Sequence, residues 1–287
     1  MDKNQIHKLK TFAAQIRLET VKCIGVRGFG HIGGALSVAD LLAVLYGGID
    51  GLSMKIDPKN PDWAERDKLV MSKGHAGPAV YAALALKGYF PMDWLKTLNQ
   101  PGTRLPSHCD RKLTPGIDMT TGSLGQGVST AIGLALAQKL DGKSSRVFLV
   151  TGDGELNEGQ VWEGALFAPA NKLTNLTLFV DRNHKQLDAT TEEVLDIGDV
   201  PSKFAAFGWN ALSVNGSDVA EIADAVNAAR AEKTKPTCIV LNTKKGAGIP
   251  FIEEIELNHH VEVKGELLEK ALAHIEKIYT DLAKEAA

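Results

Sequence analysis

Cysteine is scarce: three in 287 residues, at positions 23, 109 and 238. An odd number so widely spaced does not staple a small secreted scaffold and suits a reducing compartment, so the expected location is the cytoplasm. Long apolar runs are missing too. None approaches the ~20 residues that a membrane helix needs, and the opening MDKNQIHKLK has no apolar region of the secretory-signal kind. Nor is there an excess of positive charge. Lys and Arg number 32 against 35 Asp and Glu, a net −3, so no basic field argues for nucleic acid. Internal repeats and low-complexity tracts are absent. What is present is 44% hydrophobic residues, enough for a substantial core. The length fits one α/β domain, expected to span 1–287.

The chain is organised around Phe148–Asp188. An apolar run, Arg146 to Val150, has the length and composition of a buried parallel strand. It ends in Gly152-Asp153-Gly154, and a helical pattern follows with Trp162, Leu166, Phe167 and Ala170 on one face. A second run, Leu176 to Val180, ends in Asp181-Arg182-Asn183. Two strands that finish in polar clusters at their carboxyl ends place a ligand there. The residue types suit a diphosphate with a divalent ion, Mg2+ or alternatively Ca2+ or Mn2+, which prefers hard oxygen ligands shared between protein and phosphate. Asp153 offers a carboxylate, Asn183 an amide oxygen, and the loop after it a backbone carbonyl, assigned to Lys185. Gly152 and Gly154 let the backbone approach the ligand, and the following helix is expected to aim free N–H groups at the anion. Taken alone, GDG could equally be a strand-turn-helix with an N-capping Asp; the Asn at the end of the next strand favours the ion.

Other stretches supply candidates. Gln5–Val26 reads as an amphipathic helix. Gly28, Gly30 and Gly33 spell G-x-G-x-x-G, but a charged helix precedes them rather than a strand, so they read as a loop presenting His31 and not as a nicotinamide dinucleotide site. Asp67–Met71 reads as a short strand whose carboxyl-end turn, Ser72-Lys73-Gly74-His75, enters an Ala-rich helix, Pro78–Leu86. Phe90–Thr121 is long and aperiodic, a pattern usual for functional loops. It carries His108 and leads into Thr-Thr-Gly-Ser-Leu-Gly-Gln-Gly (120–127) and a helix, Val128–Lys139. Cys109 beside His108 could suggest a thiolate nucleophile, but no oriented base is evident. Strands at Asn210–Val214 and Thr237–Leu241 alternate with helices at Lys203–Gly208 and Asp218–Glu232, predicting a parallel sheet with helices on both faces. A last helix is expected at about 263–284.

GDGE with NEGQVWE and then VDRN, together with SKGHAGPAVYAAL and LPSHCDRKLTPGIDMTTGSLGQG, resembles the thiamine diphosphate motif as transketolases carry it, over about Lys8 to Gly248. The resemblance implies an α/β thiamine diphosphate-binding fold and transfer of a two-carbon ketol unit between sugar phosphates, by default from xylulose 5-phosphate to ribose 5-phosphate. It implies cofactor contacts at His75, Gly122, Ser123, Leu124, Gly152, Asp153, Gly154, Glu155, Glu163 and Asn183. His31, His108 and His259 or His260 become hydrogen-bond partners or proton shuttles, and Glu158 a subunit-interface carboxylate coupling two cofactor sites. Ser107 and Cys109 stand where the family tends to have Gly and Pro, and Asn258-His259-His260-Val261 replaces Trp-His-Gly, so either histidine could face the cofactor. Full-length transketolases continue into further domains, so the resemblance implies a separate C-terminal subunit, expected as an α2β2 assembly. Alternatives are the α subunit of a 2-oxo acid dehydrogenase, a deoxyxylulose phosphate synthase, or a non-catalytic cofactor-binding partner.

Overall fold

The computed structural model describes residues 1–285. In chain order they form α1 (Lys3–Arg27), β1 (Phe29–Gly30), α2 (Ile32–Leu36), α3 (Ala39–Tyr46), β2 (Lys68–Met71), α4 (Gly77–Leu86), α5 (Gln126–Leu140), β3 (Val147–Gly152) and α6 (Gly159–Ala170). There follow β4 (Leu176–Arg182), α7 (Thr191–Leu195), α8 (Val200–Ala206), β5 (Asn210–Asn215), α9 (Val219–Ala231), β6 (Thr237–Asn242), α10 (Pro250–Glu253), β7 (Val261–Glu262) and α11 (Gly265–Glu285).

Five strands form a parallel sheet in the order β2-β3-β4-β6-β5. Alternate residues of its strands enter opposite cores. Phe148, Val150, Phe179, Ile239 and Leu241 pack with α1, α3, α4 and α9. Val147, Leu149, Leu178, Val180 and Val240 pack with α5, α6 and α8. With both faces covered, the strands read as continuous apolar runs, which is why they were legible. Register does the rest: Gly152 lies beside Asp181 and Arg182 beside Asn242. Because all five strands run one way, the residues just beyond them, Ser72, Asp153, Asn183 and Thr243, meet along one edge.

The glycine-rich stretch lies outside this sheet. α1 opens with a capping box between Asp2 and Gln5 and closes at Gly28, whose φ of 79° ends the helix in the left-handed region. β1 then pairs antiparallel with β7, so G-x-G-x-x-G follows a helix, as expected. Phe90–Thr121 holds only one 3₁₀ segment, Met92–Thr97. Among the described residues no helix is long and apolar enough to cross a membrane.

Two local expectations fail. The helix after Gly-Asp-Gly does not begin at once: a 3₁₀ turn, Gly154–Asn157, intervenes, and α6 starts from Glu158, so the N–H groups beside Asp153 belong to the turn and not to the helix. The face of α6 is also reversed. Its buried residues are Val161, Gly164, Ala165 and Ala168, while Leu166 and Phe167 are 60% and 44% exposed. Close packing on α5 decides this: a Cβ at Gly164 would stand 2.7 Å from Ile132 Cδ1, so only small side chains fit that seam.

Candidate active site

Asp153 is buried just past β3. Its Oδ1 accepts from the Gly154 N–H at 2.8 Å and its Oδ2 from the His184 N–H at 2.6 Å. Burial, and then the neighbouring Asp181, push its pKa up, so added positive charge would favour its ionised form. Asn183 donates its amide N–H to Asp181 Oδ2 at 2.9 Å, which fixes the amide orientation, and its Oδ1 accepts from Lys185 N at 3.2 Å. Lys185 offers its carbonyl here, while its ammonium turns away to the carbonyls of Glu253 and Ile255 at 3.0 and 2.9 Å. Glu155 is a brace: its carboxylate accepts from Ser72 Oγ, from Gly125 N at 2.8 Å and from Gly152 N at 3.1 Å, tying β2, β3 and α5 together.

Three charged residues that sequence reasoning left out complete this floor. Asp181, fully buried, accepts from Lys73 Nζ at 2.5 Å, Ser37 Oγ at 2.7 Å, Asn183 and Thr243 Oγ1. Burial pushes its pKa up, but Lys73 and the hydroxyls of Thr243 and Ser37 bring it below the usual carboxylate value. Lys245 donates to the carbonyls of Lys185 and Gln186, each at 2.9 Å, and to His259 Nδ1 at 2.9 Å. Burial, then Lys73, lowers its pKa to about 8. The loop that aims it is pinned by Gly246 N–H to Gly33 O at 2.9 Å, by Asn258 Nδ2 to Lys245 O at 2.8 Å, and by Arg17 Nε to Ala247 O at 2.8 Å. The available signal was positional: Lys73, Asp181 and Lys245 all lie at or just past the carboxyl end of an apolar strand.

Five histidines stand above the floor. The His31 ring lies 5.7 Å from His75, 5.2 Å from His108, 5.3 Å from His259 and 4.7 Å from His260, and His75 lies 4.7 Å from His259. Burial lowers His31 to about 4, helped by His260, His108 and Lys245. Burial and Lys245 lower His259 to about 3. His75 is also held low by burial and Lys73, and His108 by burial. An ammonium only donates, so His259 Nδ1 is the acceptor from Lys245, and the neutral ring carries its proton on Nε2. At His108 the imidazole fits because Gly122 has φ of 139° and no side chain; a Cβ there would stand 2.9 Å from the His108 ring.

A cavity of about 220 Å³ is bounded by Lys73, His75, Asp153, Asn183, Lys245 and His259, with Gly122, Leu124, Gly152, Gly154, Glu155, Lys185, Gln186, Leu187 and His108 completing its wall. The alternatives at 259 and 260 are thereby separated: His259 lines the cavity, and His260 is exposed at its rim. Ser123, Glu158 and Glu163 are exposed and line no part of it. For Glu158 and Glu163 the reason is the offset start of α6, which carries both onto an outer surface. Cys109 is no nucleophile, since burial pushes its thiol up to about 12.

Residues 8–276 match the family described as transketolase, thiamine diphosphate binding domain. The chain belongs to the transketolase family. It is 49% identical over 277 residues to the 6-deoxy-6-sulfo-D-fructose transketolase subunit SqwG of a Clostridium species, covering 96% of this chain and 99% of that one. It is 39% identical to one subunit of the apulose-4-phosphate transketolase of Actinobacillus succinogenes, over 86% of this chain and 87% of that one. Among solved structures, transketolase from Campylobacter jejuni superposes with a TM-score of 0.84 at 30% identity, covering 99% of this chain and 47% of that chain. Transketolase from Pichia stipitis gives 0.83 at 27%, over 98% and 45%. The chain thus spans slightly under half of these solved transketolases and nearly all of the two subunits. Its sheet with helices on both faces is the transketolases' thiamine diphosphate-binding fold, and its enzyme class is transferase.

The residues fit the cofactor of the family. Nothing stands within 4 Å of where a Cβ would sit at Gly152, so the backbone there is open. Two buried ammoniums border the cavity, Lys73 paired with Asp181 and Lys245 held by two carbonyls and an imidazole, and the floor presents the hard oxygens of Asp153 and Asn183.

Proposed function

We propose that this chain is the N-terminal subunit of a two-chain transketolase that moves a two-carbon ketol unit from a ketose to an aldose. The juxtaposition of the anion-ready floor with a cluster of neutral histidines carries the reading. Lys73, Lys245 and His75 would hold the diphosphate of thiamine diphosphate. Asp153, Asn183 Oδ1 and the Lys185 carbonyl would share Mg2+ with its oxygens, the last after Lys245 shifts toward the phosphate. Such an ion takes amide, carbonyl and phosphate oxygens as well as carboxylates, and so does not require a cluster of acidic side chains. The cofactor supplies the nucleophilic carbon and the electron sink for breaking and making the carbon–carbon bond. The protein's own part is to orient sugar hydroxyls and carry their protons, and His108 and His259 stand 5.2 and 5.3 Å from His31 for that task.

A partner chain is the second half of the proposal, with residues 1–287 forming one cofactor-binding domain. The cavity is smaller than the roughly 300–1,000 Å³ of a complete ligand pocket, which suits a site whose other wall comes from elsewhere. Leu166 and Phe167 on α6, and Leu140 on α5 at 78% exposure, offer apolar surface for assembly as α2β2. The relatives point to ketoses ending in sulfonate or phosphate, so 6-deoxy-6-sulfo-D-fructose is the first donor to assay, beside xylulose 5-phosphate. The test is coexpression with a candidate C-terminal transketolase subunit, followed by mass measurement and a coupled ketol-transfer assay with thiamine diphosphate and Mg2+. The expected result is a stoichiometric complex with transfer activity that neither chain has alone. Full activity of this chain by itself, or pyruvate decarboxylation in place of transfer, would overturn the reading.

A further inference from the structure

His260 and Phe29 have no part in the floor, yet the fold holds both at the mouth of the site. β1 and β7 pair antiparallel, Phe29 opposite Glu262 and Gly30 opposite Val261, and the ladder is extended by Val263 N–H to Gly28 O at 2.8 Å. His31 directly follows β1 and His260 directly precedes β7, so the pairing sets the two imidazoles side by side with centroids 4.7 Å apart. Phe29 packs on the outer side of His260 at 5.4 Å, and the Arg27 guanidinium covers the Phe29 ring at 5.2 Å. From the cavity outward the order is therefore His75, His31, His260, Phe29. His260 is exposed and Phe29 is 37% exposed. At the mouth of the site this ring, flanked by the Arg27 cation, is open to a ligand chain leaving the cavity.

We infer that the His260–Phe29 pair reads the hydroxylated carbons of the ketose that lie beyond the bond being cleaved. This rests on the ketol-transfer reading above. The reacting carbons belong at the level of His31, His108 and His259, next to the cavity. Whatever extends past them toward solvent on this side passes His260, whose imidazole offers one donor and one acceptor to a hydroxyl, and the Phe29 ring, which gives the C–H face of the carbon chain an apolar wall. The pair is a specificity device. It has nothing to grip in a donor that ends at the cleaved bond.

That difference supplies the test. The complete complex is assayed with two kinds of donor and glycolaldehyde as the common acceptor, so that the acceptor brings no long chain to the same place. The short donor is hydroxypyruvate, whose departing part is CO2; the long donors are 6-deoxy-6-sulfo-D-fructose, fructose 6-phosphate and xylulose 5-phosphate. His260→Gly is expected to lower the ratio of kcat/KM for the best long donor over hydroxypyruvate about tenfold, the discrimination typical of one lost hydrogen-bonding contact. His260→Asn, which keeps a donor and an acceptor, is expected to recover part of that ratio, and Phe29→Ser to lower it less. An unchanged ratio in both His260→Gly and Phe29→Ser, or a rise, would overturn the inference, including the case where both donors fall together because His31 has been displaced. A wild-type complex with no transfer from any donor would instead sink the ketol-transfer reading itself.

Discussion

The two ends of the central sheet bury charge in opposite ways. At the amino end, Arg66 forks onto Asp118 with contacts of 2.7 and 3.2 Å, and Asp118 also accepts the Leu69 N–H at 2.8 Å. Beside them Asp67 accepts the N–H groups of Lys55 and Arg146 at 2.9 and 2.8 Å. Burial works against the Arg66 charge, but Asp118 outweighs it and its pKa rises. At the carboxyl end Lys245 is as deeply buried, yet its partners are two carbonyls and an imidazole, and burial wins: its pKa falls to about 8. The histidines above it are held neutral for the same reason. At the amino end the buried guanidinium meets its counter-charge directly. At the carboxyl end Lys73 is paired with Asp181, but Lys245 has only neutral hydrogen-bond partners, which leaves it suited to take up an anion such as a diphosphate.

If that contrast is right, damage at the two ends will read out differently. The largest effect belongs to Asp153→Ala. Loss of the carboxylate that would hold the ion is expected to lower ketol transfer of the complex by about 10³-fold or more. The thermal stability of the cofactor-free chain should stay close to wild type, because the buried carboxylate is itself disfavoured there. Calorimetry and the transfer assay on one preparation check both halves, and a collapse in stability would break the comparison. The next effect is Asp118→Ala at the amino end, which strands the guanidinium of Arg66. With side-chain exposures of 6% and 4% for this pair, a loss of about 3–5 kcal/mol is expected in denaturant unfolding. Any preparation that remains folded should keep wild-type thiamine diphosphate affinity; a selective loss of affinity would show that the two ends are not separate.

The sequence disclosed the carboxyl end more fully than its chemistry. Continuous apolar runs closed by Gly-Asp-Gly and Asp-Arg-Asn placed β3, β4 and the Asp153–Asn183 pair, since a parallel sheet buried on both faces leaves little ambiguity of period. The choice between His259 and His260 was not legible, because adjacent residues point to opposite sides of a chain whose register is set by β7 pairing with β1, a contact distant in sequence. Lys73 and Lys245 are not legible as site residues for a related reason. A lysine after a strand looks like a solvated end until tertiary packing is known to bury it. The reversed face of α6 depended on Gly164 meeting Ile132, which only the packed seam between α5 and α6 reveals.

The smallest expected effect concerns the histidines above the floor. His31 and His259 have folded pKa values of about 4 and 3, against 6.5 for an unhindered imidazole. Groups depressed in this way take up protons more readily in the unfolded chain, so their contribution to stability is intact above pH 6.5. It is lost progressively as the pH falls from 6.5 toward 4 for His31 and toward 3 for His259. The melting temperature of the cofactor-free chain should therefore drop by several degrees between pH 7 and pH 5. A diphosphate bound between Lys73, His75 and Lys245 offsets the ammonium charge that helps hold His259 and His31 neutral, and so raises both toward the ordinary value. With thiamine diphosphate and Mg2+ the same drop should be shallower. Parallel melting curves across that range, with and without the cofactor, measure the difference. Equal slopes would mean that the histidines do not sense the diphosphate.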